Sequence, residues 1–222
     1  MLLSITLTEP PATDLGYLLH KHPDRLQSFA VSAGQAHVFY PEAAEQRCTA
    51  ALLLEIDPIA LVRGHRRAGS GSTEAFSLAE YVNDRPYAAG SMLAVAISTV
   101  FRSAMNGVSA KQDVAEEPIP LAIHIPALPA RGGTDLVARL FTPLGWQVTA
   151  NQLPLDQAFP DWGDSAYVDL RLTASTITLA AALKMSCCRC STTPSTTGSA
   201  QTKLTSCCGP ATAGWAATPS AS

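Results

Sequence analysis

Two spacings of apolar residues run through this chain. Short alternating or continuously apolar stretches, Leu2 to Thr8, Cys48 to Ile56 (CTAALLLEI), Leu121 to Ile125, Trp146 to Ala150 and Ala166 to Leu172, predict strands. Ser28 to Ser32 and Ala36 to Tyr40, on either side of Ala33-Gly34, predict a hairpin, and Ser175 to Leu179 is placed as a hairpin partner for the strand before it. Wider spacing predicts helices. One carries Leu15, Leu18 and Leu19, opened by Thr13 or Asp14. Another carries Leu136, Val137, Leu140 and Phe141, capped by Thr134 and stopped by Pro143-Leu144-Gly145. Pro126 and Pro129 are expected to end the strand that begins at Leu121.

The densest apolar run lies between Phe76 and Met105. Ser77 and Glu80 have the spacing of a capping box, and Pro86 pushes the residue before it out of helical geometry, so a first short helix should stop near Asp84. A second helix should run from about Tyr87 to Met105. Its middle, Met92 to Ile97, is apolar on nearly every side, which predicts burial all round. It is too short to span a bilayer, which takes roughly 20 residues, and reads as a central core helix. After the polar link Gly107 to Glu117, the order strand, proline-rich turn, capped helix, proline-containing stop and strand begins again. This weak internal repeat predicts an α+β fold of two related small lobes, residues 1–106 and 118–183, around the central helix, followed by a disordered tail.

Composition adds compartment and partners. With 222 residues, a net charge of -3 and 47% hydrophobic residues, the chain can bury a sizeable core, and its slight acidity argues against a dedicated nucleic-acid surface. The start, MLLSITLTEPP, lacks the basic and apolar regions of a signal peptide, so the cytoplasm is the expected location.

The cysteines change the reading of residues 184–222. Cys48 stands apart, while Cys187, Cys188, Cys190, Cys207 and Cys208 crowd a Ser/Thr/Ala/Gly-rich end with no apolar period. One reading is a zinc site, although the adjacent pair Cys207-Cys208 lacks ligand spacing. A second is a disordered linker. The third is a shift of reading frame: back-translated with GC-rich codons and read one base earlier, the stretch from Met185 to Trp215 can encode a plausible strand and a capped amphipathic helix. On that third reading the cysteines are accidental and no metal is expected.

Candidate chemistry is sparse. His20 and His22, two apart, do not share a helix face as paired metal ligands would. Ser165 has no His/Asp constellation nearby, and Trp162-Gly163-Asp164-Ser165 reads as a turn with Asp164 bonding backbone amides. Asp84 and Arg85 either pair to fix the helix break or, with Asn83 and Tyr87, contact a partner protein. Arg63, His65, Arg66 and Arg67, in the basic Gly/Ser-rich loop RGHRRAGSGST, are candidates for RNA phosphates or an acidic partner. No catalytic residue is assigned.

Gln35-Ala36-His37-Val38-Phe39-Tyr40-Pro41-Glu42, Tyr81-Val82-Asn83-Asp84-Arg85-Pro86-Tyr87 and Trp162-Gly163-Asp164-Ser165 together resemble the N-terminal half of the bacterial 3'-terminal RNA ribose 2'-O-methyltransferase, over about residues 1–183. The resemblance implies an accessory module. That half associates with the ligase part of a polynucleotide kinase-phosphatase-ligase protein and activates it in RNA repair. In the family, S-adenosylmethionine and a divalent metal belong to the C-terminal half, so no cofactor is expected on this chain. The second function considered is an RNA-binding domain that positions a 3' end through the Arg63–Arg67 loop.

Overall fold

A computed structural model describes residues 1–57, 86–130 and 132–190. Among the described residues, the first half contains β1 (Leu2–Leu7), α1 (Asp14–Leu19), β2 (Gln27–Val31), β3 (Gly34–Ala43), β4 (Cys48–Ile56) and α2 (Pro86–Val100). Two short helices follow, α3 (Arg102–Met105) and α4 (Gln112–Glu116). The second half comprises β5 (Ile119–Pro129), α5 (Gly133–Phe141), β6 (Gln147–Pro154), β7 (Asp164–Ile177) and α6 (Leu179–Cys190).

The strands form one antiparallel seven-stranded sheet in the order β2-β3-β4-β1-β5-β7-β6. In each half the last strand returns to lie beside the first, β4 against β1 and β7 against β5, and a helix follows. The halves are joined edge to edge, because β1 pairs with β5 at Ile5↔Ile123 and Leu7↔Leu121. The α+β fold is thus a single sheet whose centre is the junction between the two expected lobes.

Alternation explains why the sheet has one covered face. Leu3, Ile5 and Leu7 of β1, Ala50 and Leu52 of β4, Ile123 of β5 and Leu170 and Leu172 of β7 are all at most 2% exposed, and they share one core cluster with residues of the helices. The α2 helix packs against β2, β4 and β5, and α6 packs against α2 and β5. Residues of opposite parity point to the other face. The β2–β3 hairpin turns at Gly34 (φ +145), where an added Cβ would lie 2.3 Å from the Glu55 carbonyl oxygen, so only glycine fits.

Several expectations need correction. The α2 helix is not buried all round: Leu93, Ala96 and Ile97 are fully buried, whereas Val95 is 41% exposed. Among the described residues, the sheet and α6 pack against the side of α2 that carries Leu93 and Ile97. The expected single helix to Met105 is two pieces that meet at Phe101 (φ -108, ψ 26). Pro126 and Pro129 do not end β5. The pairing of β1 to β5 stops at His124, and a register shift between Ile125 and Leu128 accommodates Pro126, so no ladder bond needs its missing N–H. The N-cap of α5 is Gly132 rather than Thr134. Ser175 to Leu179 is no separate hairpin strand, because β7 continues to Ile177 along the extended β5.

The largest difference is at the end of the described region. The α6 helix runs to Cys190, past the expected boundary of order at residue 183. Leu179, Ala182, Leu183, Ser186 and Cys187 are buried at helical spacing, the Ser186 hydroxyl donates to the Ala182 carbonyl (2.9 Å), and Cys187 Sγ donates to the Ala94 carbonyl of α2 (3.4 Å). Cys187 is therefore a core residue of α6, and Cys207 and Cys208 lie outside the described residues. The expected helix 77–84, the basic loop and residues 191–222 lie outside the described residues. None of the described helices is long and apolar enough to cross a membrane.

Candidate functional site

Of the residues singled out from sequence, Arg63, His65, Arg66, Arg67, Asn83, Asp84 and Arg85 lie outside the described residues. Tyr87 is in the first turn of α2, and its side chain lies outside the description. The chemistry that the described residues do bring together is on other elements, in two places.

The first is the face of the sheet opposite the core. Cross-strand register places Ala51, Ser4, His124, Arg171 and Thr149 in one row from β4 to β6. His124 Nε2 hydrogen-bonds Asp169 Oδ1, and Arg171 Nε lies 3.6 Å from Asp169 Oδ2. Asp169 thus receives a ring nitrogen and a guanidinium on its two oxygens, an arrangement that neutralises a carboxylate one-fifth exposed. Toward the other edge, Ser28 Oγ is 2.8 Å from His37 Nδ1, and His37 Nε2 is 3.3 Å from Glu55 Oε2. Both imidazoles are held by cross-strand partners. His37 has the Ser28 hydroxyl on Nδ1 and the Glu55 carboxylate on Nε2, the reverse of the nitrogens a serine hydrolase uses. Among the described residues no group of three or more His, Cys, Asp or Glu could hold a metal ion. Sequence reasoning missed His124 and Asp169 because they lie 45 positions apart and only the β5–β7 register unites them.

The second is the tip of the β6–β7 hairpin. Leu155, Phe159 and Trp162 are 60%, 53% and 60% exposed. The Phe159 and Trp162 rings stack with centroids 4.7 Å apart and planes 13° from parallel. A 3-10 turn, Pro160–Trp162, sets their spacing. Leu155 N–H donates to the Gly163 carbonyl (2.9 Å) to close the loop, and Gly163 takes a positive φ of 81. The turn expected at Trp162 to Ser165 lies earlier, at Pro160–Trp162, and Asp164 and Ser165 begin β7. Ser165 Oγ accepts the Tyr167 amide (3.2 Å), and Asp156 Oδ1 accepts the Ala158 amide (2.7 Å).

The histidines near α1 are structural. His20 takes the left-handed C-cap conformation (φ 54), and its Nε2 lies 2.9 Å from the Val108 carbonyl oxygen. Lys111 Nζ bonds the buried Asp14 carboxylate (2.6 Å) and lies 5.2 Å from the centre of the Tyr17 ring, which fixes the α3–α4 connection to α1. Burial pushes the Tyr40 hydroxyl pKa up, and its O–H donates to the Lys21 carbonyl (3.1 Å). The Cys48 thiol is pushed up to about 11, by burial first and then by the Glu42 charge.

The described residues thus form a helix-covered sheet with a salt-bridged polar face and an apolar hairpin tip. The chain matches the Hen1_L family, described as the RNA repair, ligase-Pnkp-associating, region of Hen1, over residues 1–187, and it belongs to that family. Two chains of solved structures are similar: one from "Structure of the Pnkp1/Rnl/Hen1 RNA repair complex" (TM-score 0.49) and one from "Structure of Pnkp1/Rnl/Hen1 complex" (TM-score 0.47). Each is 14% identical, with the match covering 86% of this chain and 41% of that chain, so this chain spans about two fifths of their length. No curated protein matches the chain.

Proposed function

We propose that this chain is the accessory N-terminal module of an RNA-repair 3'-terminal ribose 2'-O-methyltransferase, which binds a polynucleotide kinase-phosphatase-ligase partner and activates its RNA ligase. The observation that carries the reading is the family match over residues 1–187, which takes in every described strand and α6 as far as Cys187. The module acts by binding rather than by chemistry. A protein that docks more tightly on the sealing-competent conformation of a ligase shifts the ligase toward it, by as much as the difference in affinity for the two states. The reading places no cofactor on this chain; S-adenosylmethionine and a divalent metal are assigned to the family's methyl-transferring half. The test adds the purified chain to the ligase part of a bacterial kinase-phosphatase-ligase protein and follows sealing of a nicked RNA. Faster sealing that saturates with the added chain supports the proposal, and an unchanged rate over the whole titration refutes it.

A further inference from the structure

We propose that the β6–β7 hairpin tip, Leu155 with the stacked pair Phe159 and Trp162, is the surface that docks a basic, partly apolar segment of a partner protein. The inference rests on the ligase-associating reading and names the face that would do the associating.

The energetics single out this tip. Leu155, Phe159 and Trp162 each keep more than half of their surface in water at 60%, 53% and 60% exposure, and they lie within one closed loop. Clustered large apolar groups on a surface mark interaction sites, whereas the same groups scattered singly do not. Aromatic residues are also the side chains that most often anchor protein interfaces. Prior order matters as well. The ring stack, the Trp162 N–H to Phe159 carbonyl bond (3.0 Å) and the Leu155 to Gly163 closure hold the loop before any partner arrives, which lowers the ordering cost of binding.

Charge selects the kind of partner. Asp156, Asp161 and Asp164 flank the rings, and the sequence from Gln147 to Leu170 contains no Lys or Arg. Asp161 and Asp164 are exposed, and Asp156 is half-buried. A carboxylate rim repels RNA phosphates, so base stacking on Trp162 is opposed by the field around it. The same rim favours an Arg or Lys flanked by apolar side chains, whose charged head meets the carboxylates while its stem and neighbours cover the rings. A protein segment is therefore the occupant that fits both features.

The test titrates the full chain with the ligase part of a kinase-phosphatase-ligase protein by calorimetry, using wild type, the double variant Phe159→Ser/Trp162→Ser, and the triple variant Asp156→Asn/Asp161→Asn/Asp164→Asn. Because Phe159, Trp162, Asp161 and Asp164 are exposed, and asparagine at 156 keeps an Oδ1 to accept the Ala158 amide, both variants are expected to melt as wild type does. The double variant should bind about tenfold or more weakly. The triple variant should bind more weakly at low salt and lose most of the salt dependence that wild type shows. If wild type binds and both variants bind equally well, the docking surface is wrong and the ligase-associating reading stands. If wild type does not bind, both fall. If a short single-stranded RNA at physiological salt quenches wild-type tryptophan fluorescence and the Phe159/Trp162 variant abolishes the quenching, the tip is an RNA platform and the proposal is overturned.

Discussion

Cys48 shows how one position can serve the core and set a limit on pH. It pairs with Leu7 across the β1–β4 ladder, is fully buried, and holds its proton up to about 11. In the unfolded chain a cysteine loses its proton near pH 8.5. The folded value is the higher one, so Cys48 contributes stability that is complete below the unfolded pKa and is lost as pH rises toward about 11. Tyr40, also raised by burial, acts in the same direction at higher pH. Urea midpoints should therefore fall between about pH 8.5 and 11, and Cys48→Ala should flatten part of that fall while lowering stability at pH 7. A midpoint that stays level across this range, or a Cys48→Ala slope equal to wild type, would contradict the placement of this thiol.

The elements divide into those that bear load on one side and those that do not. Ile97 and Leu93 lie one turn apart on α2 and are fully buried, whereas Val95 is 41% exposed. Ile97→Ala should cost about 2–5 kcal/mol and Val95→Ala no more than about 0.5 kcal/mol, read from chemical denaturation. Equal costs would mean that the far side of the helix is packed too. The α6 helix gives a second comparison. A chain ended at residue 183 would lose the buried Ser186 and Cys187, and its melting temperature should drop by roughly 2–4 °C for each kcal/mol removed. An unchanged melting temperature would restore the tail boundary expected from composition. The sequence made β1, β4 and the β2–β3 hairpin legible because their alternation and the Gly34 turn are strong local patterns. It hid α6, whose buried stripe includes Ala182, Ser186 and Cys187, side chains too small or too polar to register as a hydrophobic period. The full length of β7 was hidden for a related reason: Thr173 to Thr176 offers neither a turn nor an apolar run, and only the partner strand β5 decides that it stays extended.

At the scale of the whole molecule, the strands β1 to β4 and the strands β5 to β7 share one sheet through the pairing of β1 with β5. The sequence does not show how these two sets join, because pairing between strands more than a hundred positions apart leaves no local trace. The candidate surface was legible in part. Trp162 and Gly163 were recognised as a turn, while the stack with Phe159 and the exposure of Leu155 follow from the hairpin geometry. The family matched over residues 1–187 is described as the RNA repair, ligase-Pnkp-associating, region of Hen1, and activation of a ligase is the central proposal. The most direct measurement is the rate at which the ligase part of a kinase-phosphatase-ligase protein seals nicked RNA as this chain is added. The account predicts a rate that climbs and saturates at one chain per ligase, and a rate that stays flat while the chain remains folded would contradict it.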